Sequence, residues 1–355
     1  MFYINTITHG GAERVLVNLA TKLSERGHEC VLVTSFPDKD SEYPLGEKVQ
    51  RISLSEERIL SKFSRNIKYI SALRQQVVRH RPDILIAFLP EANHRALLAT
   101  AGLKTKCLIS VRNDPNKEYR SKLSRIFAKL HYRAADGVVF QTEDAKRWFP
   151  KSIQNKSRII INQVDEIFYT FHSEELEKDI VATGRLSKQK NHELLINAYA
   201  KIAPQISDRL LIYGSGGLKD ALQQQIDKLE LTNKVVLMGN TKNVPMAVGS
   251  AKLYVMSSDY EGMPNALMEA MALGVPCIST DCPCGGPKAL FGKDLLPCLV
   301  PTNDIDRLAS KMIELLNNER LRRSIGAKCR KQAELFSPDV IIKEWESYLE
   351  KTLNK

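Results

Sequence analysis

The stretch KLYVMSSDYEGMPNALMEAMALGVPCIST, Lys252 to Thr280, reads as strand, turn, helix and strand. An apolar run of strand length ends in two serines, and "DYEGM" forms the turn. Pro264 suits a first helical turn, because its missing N–H would be unpaired there anyway. Gly274 and Pro276 supply the stop, which predicts a helix of about ten residues. "PCIST" is then the next strand. Two apolar strands joined through a helix make the repeating unit of a parallel α/β sheet.

The same rhythm runs outward in both directions. Towards the N-terminus "FYINTI", "ECVLVTSF", "DILIAFL", "CLISV", "GVVFQ" and "RIIIN" read as strands, with helical patterns between most of them. The segment from Glu166 to Asp179 is irregular and acidic, a linker. The rhythm restarts with "IVATGRL", "RLLIYGSG", "KVVLMGN" and the opening stretch itself. The prediction is an α/β protein of two Rossmann-like, doubly wound domains, 1–167 and 178–338, facing across a cleft. A last amphipathic helix, 339–355, carries Val340, Ile341, Trp345 and Leu349 on its apolar face and is expected to pack back across the domain junction. Ligands of such sheets bind beyond the carboxyl ends of the strands, so the cleft is the expected site.

A length of 355 residues and 43% hydrophobic content fit a globular protein with two cores. No apolar run approaches the roughly 18 residues of a membrane-spanning helix, and no basic region precedes the short apolar start, so neither a membrane span nor a signal peptide is expected. Seven cysteines without a recurring Cys-x-x-Cys pair read as reduced thiols in the cytoplasm rather than metal ligands.

The net charge of +11 lies wholly in the first half. Met1 to Asp165 holds 28 Lys and Arg against 17 Asp and Glu. Much of the excess sits in Arg58 to Arg81 and Asn116 to Arg133. In the second segment Leu123, Ile126, Phe127 and Leu130, with Tyr119, recur at helical spacing among Lys117, Arg120, Lys122, Arg125, Lys129 and Arg133. Such a helix either packs its apolar stripe into the domain or lies on an anionic membrane surface. No nucleic-acid-binding motif accompanies the charge, so nucleic acid is not an expected partner.

Within the opening stretch Glu261 stands at the strand-to-helix turn and Glu269 inside the helix. The helix N-terminus is an anion site, and Gly262 allows close approach of a ligand. Two carboxylates beside a phosphate would repel it unless they reach past it to hydroxyl groups, so a phosphorylated polyol resolves the conflict. "ATGRLSKQKN" places Arg185 and Lys190 beyond a strand that ends at Gly184, where cations suit a diphosphate. The glycine loops "HGGAERV", with Gly10 and Gly11, and "YGSGG", Tyr213 to Gly217, add weaker signals. The acidic triplets Asp38 to Asp40 and Asp304 to Asp306 read as a surface loop and a helix start.

Taken together these motifs resemble the family 4 glycosyltransferases, retaining enzymes of the GT-B fold. The likeness spans nearly the whole chain and is most specific in the E-x7-E motif, Glu261 to Glu269. It implies that Arg185 and Lys190 bind the donor's diphosphate, that Glu269 holds the ribose and that Glu261 hydrogen-bonds the transferred sugar. It places Gly184 and the backbone of Gly262, Met263, Pro264 and Asn265 at the sugar or phosphate, Gly11 over the diphosphate, and Gly239 and Asn240 at the base. No metal and no cofactor is expected, the nucleotide-sugar being a substrate. Many relatives carry a histidine where "LISVRNDP" supplies Arg112, Asn113 and Asp114; His94, Arg112 and Asp114 are therefore only acceptor-side candidates.

The implied function is transfer of a hexose or N-acetylhexosamine, with UDP as the first nucleotide expected and GDP the second, to a hydroxyl of a lipid-linked oligosaccharide. The products in view are capsule, exopolysaccharide or O-antigen. The expected location is cytoplasmic, peripheral on the inner face of the cytoplasmic membrane. A nucleotide-sugar epimerase on the same scaffold and a non-catalytic sugar- or lipid-binding protein remain as alternatives.

Overall fold

The structure, a computed structural model, describes residues 1–8, 10–36, 42–54, 62–172 and 178–354, without the side chains of 62–65. The Asp38 to Asp40 loop, the start of the basic segment at Arg58 and the middle of the expected linker lie outside the described residues. The chain divides into two compact units, one of Met1–Gln163 with Ile341–Lys355 and one of Val164–Val340.

Unit 1 is built on a parallel sheet of seven strands: β1 (Phe2–Ile4), β2 (Val31–Thr34), β3 (Gln50–Ser53), β4 (Ile84–Phe88), β5 (Lys106–Ser110), β6 (Gly137–Phe140) and β7 (Ser157–Ile159). Their order is β3-β2-β1-β4-β5-β6-β7. Unit 2 holds six parallel strands: β8 (Lys178–Thr183), β9 (Leu210–Tyr213), β10 (Val235–Gly239), β11 (Ala251–Met256), β12 (Cys277–Thr280) and β13 (Leu299–Val300). Their order is β10-β9-β8-β11-β12-β13. Both are doubly wound. Strand order reverses between β1 and β4 in unit 1, and between β8 and β11 in unit 2, which marks the crevice where ligands of such sheets bind.

The central strands are apolar because both faces are covered: every residue of β4 and β6 is buried. The strands that the sequence pattern does not reveal, β3 and β13, both lie at sheet edges. β3 is QRIS, with exposed ends and no continuous apolar run. The closing helix, Pro338–Leu353, contributes all but its first turn to unit 1. Trp345 stacks on Phe88 with ring centroids 6.1 Å apart, and the Tyr348 hydroxyl accepts from Val138 N at 2.9 Å and donates to Lys156 O at 2.6 Å. Val340, expected on the apolar face, is exposed, whereas Ile341 and Trp345 are buried.

In the opening stretch the helix is Asn265–Ala272, eight residues rather than ten. Pro264 is its N-cap and not a first-turn residue, because its ψ of 101° keeps it extended. Gly274 ends the segment at φ 77°, as a left-handed stop. Asp304 caps the helix Ile305–Asn317 by accepting from Arg307 N at 2.9 Å, which is the helix start read from the sequence. All seven cysteines are buried free thiols. Among the described residues no helix is long and apolar enough to cross a membrane.

Candidate active site

At the switch point of unit 2 the loops after β8 and β11 meet. Lys190 Nζ lies 2.6 Å from Glu261 Oε1, with both side chains largely buried. Ser258 Oγ donates to the same oxygen at 2.8 Å, and Gln189 Nε2 reaches Glu261 Oε2 at 3.4 Å. Glu261 is only 6% exposed, and a carboxylate so far from water requires these partners. The β11 loop is held in turn by Thr280 Oγ1, which donates to Ser258 O at 2.6 Å, and by Asp259 N, which donates to Gln189 O at 2.8 Å. Ser257 Oγ donates to Lys190 O at 3.0 Å.

The β8 loop lies against the β9 loop so closely that side chains are excluded. A Cβ on Gly214 would stand 1.9 Å from Gly184 O, and Gly214 itself has φ 143°. Asn191 closes the turn at φ 44°, and its Oδ1 accepts from Leu194 N at 3.1 Å to cap the helix His192–Ile202. Arg185 is exposed in this turn. Glu269 is 6% exposed on the helix Asn265–Ala272. Tyr254, on β11, feels the charge of both Glu269 and Glu261, although burial is the first cause that pushes its phenol up. Its hydroxyl is 3.0 Å from Thr183 Oγ1. Gly262, Met263 and Pro264 are buried and Asn265 half-buried; Gly239, at φ 73°, ends β10 beside the exposed Asn240. A cavity of about 600 Å³ opens beside the β8 loop between Ser187, Asn191, Asp259, Leu222 and Gln225. Lys190, Glu261 and Glu269 are not in its walls, so the switch point and not this hollow marks where the predicted residues gather.

Unit 1 separates its predicted residues. Gly11 starts the helix Gly11–Glu25 and is exposed. His94, on the helix Pro90–Thr100, has its Nδ1 2.7 Å from His131 Nδ1, with the rings parallel. Burial first, then His131, pushes its pKa down to about 4; the pair is neutral near pH 7, one nitrogen donating and the other accepting. Arg112 is 7% exposed, bonded to Asn162 Oδ1 and Ser110 Oγ and laid over the Phe88 ring at 4.3 Å. Burial lowers its pKa to about 9, so it stays charged. Asp114 caps the short turn Pro115–Glu118 by accepting from Asn116 N at 2.9 Å. Beside it burial, then the Asp114 charge, raises Glu118 to about 8. The three acceptor-side candidates thus make local contacts and form no single cluster.

Another polar centre occupies the switch point of unit 1, and the sequence reading missed it. Asn5, just after β1, donates through Nδ2 to Glu91 Oε2 at 2.9 Å; Glu91 begins the helix that follows β4. Arg95, one turn on, bonds the other Glu91 oxygen, Asn5 Oδ1 at 2.7 Å, Ser35 Oγ at 3.2 Å and Asn66 Oδ1 at 2.6 Å. The signal was present in "DILIAFLPE": a carboxylate just past a strand, as Glu261 also stands a little farther beyond β11.

The basic helix is Lys122–His131. Leu123, Ile126, Phe127 and Leu130 are 80%, 56%, 53% and 54% exposed, whereas Tyr119 is buried. Phe127 rests its ring 4.7 Å from that of His94, and otherwise the apolar stripe faces away from the unit.

Known proteins agree with this architecture along nearly the whole chain. The family Glycosyltransferase Family 4 matches residues 9–166, and Glycosyl transferases group 1 matches residues 164–332. The chain is 29% identical to the GalNAc-alpha-(1->4)-GalNAc-alpha-(1->3)-diNAcBac-PP-undecaprenol alpha-1,4-N-acetyl-D-galactosaminyltransferase of Campylobacter jejuni, over 97% of this chain and 96% of that protein. It is 24% identical to the amylovoran biosynthesis glycosyltransferase AmsD of Erwinia amylovora, over 96% of each. Its fold matches Anabaena HepE, solved in complex with UDP and glucose, at a TM-score of 0.83 and 19% identity over 99% of this chain and 98% of that one. Two Rossmann-like units with this strand order, and two family matches that adjoin, make the chain a glycosyltransferase of family 4, with the GT-B fold.

Proposed function

We propose that the chain is a retaining, metal-independent transferase. It moves a hexose or N-acetylhexosamine from a UDP-sugar to a hydroxyl of a lipid-linked oligosaccharide in surface-polysaccharide synthesis. The observation that carries this reading is the buried pair of Lys190 and Glu261 at the switch point of unit 2. Arriving diphosphate competes for Lys190, with Arg185 as the second cation. Glu261, released from its ion partner, then accepts from hydroxyls of the transferred sugar, and Glu269 from the ribose. Gly184 and the backbone from Gly262 to Asn265 line the path of sugar and phosphate, with Gly239 and Asn240 at the base. Cations stabilise the charge that grows on the departing diphosphate, which can itself take the acceptor's proton.

The names of relatives support the choice of substrates. The Campylobacter protein acts on an undecaprenol-linked glycan, the Erwinia protein serves amylovoran synthesis, and HepE was solved with UDP. The exposed apolar stripe of the helix Lys122–His131, flanked by Lys122, Arg125, Lys129 and Arg133, supports docking on an anionic membrane at the cytoplasmic face. The test is turnover of UDP-hexoses and UDP-N-acetylhexosamines with a bacterial lipid extract in EDTA. An α-linked lipid product with UDP released is expected. Release only with added divalent metal, an inverted product, or epimerised donor without acceptor would each contradict the reading.

A further inference from the structure

The polar centre of unit 1 stands at its own switch point, between β1 and β4, where an open α/β sheet receives its ligand. We infer that Glu91, held by Asn5 and Arg95, is the carboxylate of an acceptor-sugar subsite and binds a hydroxyl or amide N–H of a neutral sugar. This rests on the glycosyl-transfer reading above and deepens it.

Three features point to a ligand of that chemistry. Each Glu91 oxygen accepts one protein hydrogen bond, from Arg95 or from Asn5, which leaves lone pairs on both. The side chain is 45% exposed while Arg95 is 3% exposed, so the anchor is hidden and the acceptor is presented. Because Arg95 pairs with Glu91, the carboxylate carries no unbalanced charge of its own, and a neutral polyol can approach it. Asn5 Oδ1 is already taken by Arg95 and by Ser35 Oγ at 3.0 Å. The open capacity is therefore for hydrogen-bond donors, which sugar hydroxyls and acetamido groups supply.

The backbone there is also strained. Leu89, between β4 and Glu91, sits at φ 78° and ψ 148°, a region that bulky residues avoid. Such outliers persist where the surroundings hold them and cluster at ligand sites. Here the strain belongs to the turn that delivers Glu91.

The test is ligand-observed NMR titration of the full chain with p-nitrophenyl α-glycosides of glucose, galactose, N-acetylglucosamine and N-acetylgalactosamine, on wild type and Glu91→Gln. Glutamine keeps the size of the side chain and can still accept from Arg95, so the fold should survive. Thermal stabilisation by UDP, GDP, dTDP and ADP is recorded on both proteins. At least one glycoside should bind wild type, and Glu91→Gln should bind it about 10- to 100-fold more weakly, with nucleotide stabilisation retained. Equal glycoside affinity in the variant, or no glycoside bound by a wild type that a nucleotide stabilises, would overturn the subsite. A wild type that no nucleotide stabilises would instead strike the transferase reading on which it rests.

Discussion

At the switch point of unit 2 a lysine from one loop meets a glutamate from the next, and both are withdrawn from water. At that of unit 1 an asparagine meets a glutamate, with the cation tucked beneath and the carboxylate left half open. The sheets repeat one plan: first strand, reversal, fourth strand, and a carboxylate delivered just beyond it. What differs is where the positive charge stands. In unit 2 Lys190 comes from the crevice loop itself, a position suited to a ligand that brings phosphate. In unit 1 Arg95 serves Glu91 from the helix behind it, and the crevice suits an uncharged partner. One topology can thus serve two ligand classes by moving a single cation from the rim to the base.

The difference can be broken most directly at the cations' partners. Lys190→Ala leaves Glu261 buried without its ion partner, at a cost of about 3 kcal/mol or more. Glu91→Ala likewise leaves a buried charge, Arg95, without its ion partner, but Arg95 keeps three acceptors, on Asn5, Ser35 and Asn66, so the loss is smaller, about 2 kcal/mol. Thermal melts should therefore fall by several degrees for Lys190→Ala and by less for Glu91→Ala. Equal shifts would mean that the two carboxylates are equally dependent on their partners.

The contrast between the two centres also marks what spacing in a sequence can carry. Glu261 and Glu269 could be singled out because nine residues of one short segment hold both, amid glycine and proline signals. The ion pair of Glu261 could not be: Lys190 reaches it across 71 positions, a contact only the sheet creates. Asn5, Glu91 and Arg95 are spread over 90 positions, and none stands in a glycine-rich run, so the one local signal was the place of Glu91 just past a strand. The strand rhythm revealed the central strands, whose apolar runs follow from burial on both faces. It lost β3 and β13, whose edge positions relax that demand. Amphipathy located the helix Lys122–His131 and left its apolar face with two readings, because periodicity shows a stripe and not what covers it.

A smaller effect sharpens the comparison through pH. His94 has an ordinary value near 6.5 and is pushed down to about 4 in the folded chain. Its contribution to stability is complete above about pH 6.5 and is lost as pH falls through about 4, since the unfolded chain takes up the proton first. His94→Leu should flatten that acid limb in melts of unit 1. An unchanged limb would show that His94 is not buried as a neutral base beside His131.

The central claim is that the switch point of unit 2 holds a nucleoside diphosphate sugar. Its most direct test is thermal stabilisation of wild type and Glu269→Ala by UDP, GDP, dTDP and ADP, each with and without EDTA. Stabilisation by UDP that EDTA leaves intact and Glu269→Ala abolishes is the predicted result. A wild type that no nucleotide stabilises, or a variant stabilised as strongly as wild type, would contradict it.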